Sequence, residues 1–132
     1  MMILSLAAAG IFALLGILHL VYTLRDFGAR PRYFSPRDAA LLAAMRQTKV
    51  GLAPKGRDYW SAMLGFNLSH GIGVLLFALL ILLAAQYRIA WLQPVLVGVG
   101  ATLTAIAWRC WFSTPMLGCA VGTALLLAAW VV

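Results

Sequence analysis

Negative charge is almost missing from this sequence. Asp26, Asp38 and Asp58 are its only acidic residues, against ten lysines and arginines. All three are expected at the surface, in or beside one polar segment, so no Ser-His-Asp arrangement can form and no buried carboxylate is available to couple protons. Cysteine is also scarce. Cys110 and Cys119 flank a short turn without CxxC spacing or a matched ligand set, which argues against zinc and for inert buried thiols. No glycine-rich phosphate loop precedes a helix, and no repeat of 20–50 residues is visible.

What is abundant is apolar sequence. The chain is 64% hydrophobic, 10% charged and has a mean hydropathy of +0.98, too much apolar surface for a soluble domain of 132 residues to hide. Four runs account for it, over about 3–24, 60–86, 89–108 and 115–132. Each approaches or exceeds the roughly 18–20 residues that cross a bilayer core as a helix. Lipid supplies no hydrogen bonds, and the runs do not alternate as barrel strands would, so helices are expected. The first run lacks a basic leader and its apolar core is long, so it reads as a retained helix rather than a signal peptide. The fold class is therefore all-α: a single domain over 1–132, built as a four-helix transmembrane bundle.

The basic residues are unevenly placed. Eight of them, from Arg25 to Arg57, lie in the 25–59 connection between the first and second spans; Arg109 falls on the same side and Arg88 on the other. The positive-inside rule places that connection in the cytoplasm and both termini outside. The net charge of +7 is thereby assigned to topology and to anionic headgroups, and not to nucleic acid. Within the connection, "SPRDAALLAAMRQ" reads as a short amphipathic helix. Ser35 is its expected N-cap, Pro36 its first residue, and Leu41, Leu42 and Met45 its apolar face; it either lies on the membrane or caps the bundle. "GLAPKGRD", with Gly51, Pro54 and Gly56, reads as a flexible return. Tyr59, Trp60, Tyr87, Trp91, Trp108, Trp111, Phe112 and Trp130 form the expected interfacial belt. In "FSTP", Ser113 or Thr114 should cap the last helix, with Pro115 in its first turn.

One stretch breaks the apolar pattern. "GFNLSHGIG", residues 65–73, puts Asn67, Ser69 and His70 inside the second span. Asn67 and His70 are three apart and share a helix face, with Phe66 four before His70; Ser69 is expected to face away and bond its own backbone. His19 lies in the same membrane half on the first span, at a depth offset of roughly 7 Å by the helical rise. Tyr22 is one turn from it.

Three uses remain open for this cluster. The polar groups can lock the helices together. They can bind a small hydrophobic or lipid-like ligand or cofactor through His19, Tyr22, Phe66, Asn67 and His70, haem on His19 and His70 being one case against which the offset argues. Or the chain can act as a small oligomeric transporter. Gly71 and Gly73 thin the helix beside His70. Gly118 and Gly122 form a small-xxx-small pair, serving internal packing, a homo-oligomer or a larger membrane complex. Catalysis is not indicated either way.

"AMRQ" (44–47), "GFNLSHGIG" (65–73) and "WFSTP" (111–115) resemble motifs of a family of small bacterial four-helix integral membrane proteins. In that family a Gly-Phe-Asn-x-Ser-His element opens the second helix. The resemblance spans most of the chain, singles out Gly65, Phe66, Asn67, Ser69, His70 and Pro115, and implies the fold and a bacterial inner-membrane location but no mechanism.

The charge asymmetry yields a direct test. A cysteine introduced within 51–57 should be shielded from a membrane-impermeant thiol reagent in intact cells; labelling at the rate of an exposed periplasmic control would reverse the orientation.

Overall fold

The computed structural model describes residues 2–52 and 55–132. It is all-α: α1 (Met2–Asp26), α2 (Ala39–Gln47), α3 (Tyr59–Gln86), α4 (Gln93–Cys110, preceded by a 3-10 turn at Ala90–Leu92) and α5 (Ser113–Val131). Four helices, α1, α3, α4 with its leading turn, and α5, are long and apolar enough to span a membrane. Their outward residues, among them Leu14, Leu76, Val95, Val121 and Leu127, are exposed, as lipid-facing positions must be.

The chain forms two compact units, 1–16 with 73–132, and 17–72. The first contains parts of all four long helices around a core of Ala8, Ala9, Phe12, Val74, Phe77, Ala78, Ile81, Leu96, Cys119 and Leu126. Phe12 is fully buried and meets Phe77 edge-on, with ring centroids 4.8 Å apart. The same ring lies over Gly122, where an added Cβ would come within 2.7 Å of Cε2. Leu15 lies over Gly118, one turn along. The small-residue pair of α5 therefore packs on α1 of its own chain. Between α4 and α5, Gly100 admits Thr123, whose hydroxyl lies 3.4 Å from that of Thr104 and donates to the Cys119 carbonyl at 2.7 Å. Gly73 has nothing within 4 Å of a Cβ and takes no part in packing, contrary to the sequence expectation.

The second unit holds the C-terminal end of α1 and the start of α3, with the connection between them. α2 begins later than expected, because Asp38 and not Ser35 is its N-cap, accepting from the Ala40 amide at 2.8 Å. A carboxylate beats a hydroxyl there by adding charge opposite the positive end of the helix dipole. Asp58 similarly caps α3, taking the Ser61 amide at 3.0 Å and its hydroxyl at 2.8 Å. Those two bonds, the amide first, hold the exposed Asp58 carboxyl below its ordinary range. The return from α2 is closed by an isolated antiparallel backbone β-bridge between Lys49 and Asp58 and by the Tyr59 amide on the Thr48 carbonyl, 2.8 Å; Pro54 of that stretch lies outside the described residues.

Other expectations at element ends also change. Phe112, without a side-chain bond, is the N-cap of α5, although Pro115 is in the first turn as expected. Trp60 is buried within the protein, while the other belt aromatics are exposed; Cys110 is exposed and only Cys119 is buried. α3 ends with the Ile89 amide on the Ala84 carbonyl, 3.0 Å, and Arg88 at φ 52, the left-handed position where glycine is usual.

Two predictions follow from the backbone. Gly122→Ala should destabilise the protein by about 1–3 kcal/mol, because the Phe12 ring has nowhere to move, while Gly73→Ala should be neutral or stabilising; reversible unfolding in detergent micelles compares them. Arg88→Gly should relieve the left-handed strain and raise stability by up to about 1 kcal/mol in the same assay.

Candidate functional site

α1 and α3 run antiparallel through the second unit, with Leu20 seated on Gly71, where a Cβ would lie 2.6 Å from Cδ2. That close approach lets short polar side chains meet. His19 Nε2 lies 3.0 Å from Asn67 Oδ1, and the His19 and His70 rings meet edge-on, with centroids 4.9 Å apart at 70°. The expected depth offset does not keep these rings apart. Side chains on a helix tilt toward its N-terminus, so on antiparallel helices His19 leans deeper and His70 leans back toward it.

The hydrogen bonds fix the chemistry of His19. Asn67 Nδ2 donates to the Met63 carbonyl at 2.9 Å, one turn back on α3, leaving Oδ1 to accept from His19. The Nε2 of His19 must therefore carry a proton, and in the neutral ring Nδ1 carries the lone pair. Thr23, fully buried, donates to the His19 carbonyl at 2.7 Å. Asn67 is buried. His70 is half-buried and has no hydrogen-bond partner among the described residues. Ser69 is exposed and donates to the Phe66 carbonyl at 2.8 Å, facing away as expected.

Two expected members are elsewhere. Phe66 is 72% exposed, because it sits next to Asn67 in sequence and so about 100° away around α3. Tyr22 stacks on Tyr33, with centroids 4.4 Å apart at 10°, instead of joining the histidines. A residue not anticipated takes a place: the Phe34 ring lies against His19, with centroids 4.9 Å apart.

Phe34 is held there by Asp26. This carboxylate is 1% exposed, which corrects the expectation that every aspartate is at the surface. Oδ1 accepts from the amides of Arg32 at 2.7 Å and Tyr33 at 3.0 Å, and Oδ2 from those of Tyr33 at 3.1 Å and Phe34 at 2.6 Å. Three successive amides thus wrap one side chain, the nest arrangement for an anion. Arg25 adds a bond to the Tyr33 hydroxyl, 2.9 Å. The sequence carried one hint: an aspartate at the last residue of a helix opposes the dipole and needs a compensating partner. Nothing pointed to Phe34.

Two imidazoles on opposite faces of one haem iron need ring centroids roughly 6 Å apart, given metal–nitrogen distances of about 2 Å. At 4.9 Å and edge-on, with Nε2 of His19 engaged by Asn67, this pair does not fit a bis-histidine haem. No group of three or more His, Cys, Asp or Glu is placed to hold a metal ion among the described residues. Comparisons with known protein families, with curated proteins and with solved structures find no match for this chain.

Asp26→Ala should cost about 1.5–3 kcal/mol, the scale of hydrogen bonds to a charged group, and free Phe34 from His19. Diethylpyrocarbonate modification of His19, read by mass spectrometry, should then rise severalfold; unchanged reactivity would show that the strap does not cover the ring.

Proposed function

We propose that this integral membrane protein binds a small lipid-soluble molecule whose polar head hydrogen-bonds His70. One observation carries the reading: His70 is a half-buried imidazole within an apolar span, and no described protein group satisfies it. An unsatisfied ring is costly in a medium that offers no hydrogen bonds, and a ligand head removes that cost. His19 serves as its platform, its orientation set by Asn67 on one side and Phe34 on another. A ligand with an apolar body suits the surroundings; its head can donate to or accept from the ring.

The structural role of the cluster is a second reading, supported by the 3.0 Å His19–Asn67 contact. The two readings divide the residues. Asn67 and His19 tie α1 to α3, and His70 receives the ligand. Support for an oligomer through Gly118 and Gly122 falls away, since Leu15 and Phe12 already occupy those positions. The bacterial inner membrane, suggested by the family resemblance, and the cytoplasmic placement of the α1–α3 connection, suggested by its charge, complete the proposal.

The protein purified gently from membranes should carry a co-purifying molecule, detected by absorbance and mass analysis of the extract. His70→Ala should lose it while the helical fold and thermal stability persist. Asn67→Ala should instead loosen the protein by about 0.6–2 kcal/mol. An identical extract from wild type and His70→Ala would refute the ligand role and leave the structural one.

A further inference from the structure

We infer that α2 and the arginines bordering it form a docking surface for anionic phospholipid headgroups. The inference does not rest on the histidine site. α2 contains seven consecutive apolar residues, Ala39 to Met45, yet none of its residues is buried, and Leu41 is 51% exposed. Leu42 and Met45 are half-buried, so the protein covers this face only in part and a helix of that composition needs more. Its position points to what supplies it. The Thr48 carbonyl, directly after α2, accepts the amide of Tyr59, the first residue of a membrane-spanning helix, at 2.8 Å. α2 is thereby pinned to the end of a span, where headgroups are the adjacent medium.

Charge complementarity selects the headgroup. All three aspartates are occupied by amides: Asp26 by those of Arg32, Tyr33 and Phe34, Asp38 by that of Ala40, and Asp58 by that of Ser61. No salt bridge to a lysine or arginine forms among the described residues. Arg30, Arg32, Arg37, Arg46, Lys55 and Arg57 are all exposed. Arg37, two residues before α2, and Arg46, in its last turn, bracket its apolar run, so those residues can enter the acyl boundary while the guanidinium groups meet phosphates above it. A zwitterionic headgroup offers the same phosphate but cancels its charge. The surface therefore discriminates for a net negative lipid.

The test uses the full chain with Cys110→Ser and Leu41→Cys, labelled with an environment-sensitive fluorophore; Cys119 is buried. It is reconstituted in nanodiscs of phosphatidylcholine alone or mixed with phosphatidylglycerol. In the mixed discs the probe should report an apolar setting and be quenched by brominated acyl chains. Native mass spectrometry of the unlabelled protein should retain phosphatidylglycerol over phosphatidylcholine by about fivefold, the weight of one well-placed basic residue. High salt, or Arg37→Gln with Arg46→Gln, should abolish that preference without changing helical content. A probe that stays in water in both discs overturns the proposal and leaves the face to a protein partner. A retention ratio near one, or one indifferent to salt and to both substitutions, overturns it equally.

Discussion

Lipid cannot hydrogen-bond, and the polar groups of this protein are arranged under that constraint. Thr23, Thr102, Thr104 and Thr123 each donate to the carbonyl four residues back on their own helix, and Ser69 to one three residues back. Asn67 uses its amide nitrogen on its own helix and its oxygen on His19, so one side chain closes both local and interhelical bonds. Two groups depart from this pattern: His70, and Gln93 at the start of α4, whose buried Oε1 has no partner among the described residues; exceptions to an expensive rule are where function is sought.

Helix contacts in the first unit follow from the same environment. With no water to drive apolar surfaces together, helices associate through close backbone approach and shape. Glycine under Phe12, glycine under Leu15 and glycine under Thr123 supply that approach. The packing is directional: large residues on α1 enter gaps on α5, and one threonine of α5 enters a gap on α4.

The spans were legible because apolar length is a collective signal that survives errors at single positions. α3 was bounded within a residue, and the polar face of α3 was legible from a three-residue spacing. Ends were harder. Ser35 and Asp38 are both good caps by type, and sequence alone does not weigh a hydroxyl against a carboxylate already facing the dipole. The burial of Trp60 and the exposure of Phe66 were illegible for a shared reason: an aromatic residue of a span can turn inward or outward without changing the hydropathy profile. Phe34 was illegible because its position depends on Asp26 folding the chain back across six to eight residues, a geometry no periodicity encodes.

That fold-back has a consequence for the end of α1. Each hydrogen bond that the Asp26 carboxylate accepts comes from within eight residues downstream, so the strap needs no hydrogen bond from α3 to close. Closing it buries a charge against the end of α1 and converts a simple helix terminus into a bulky knot of backbone. A helix end tied off in this way does not depend on hydrogen bonds from α3 for its shape. His19, two turns before Asp26, is thus presented to α3 from a helix end held by its own downstream amides.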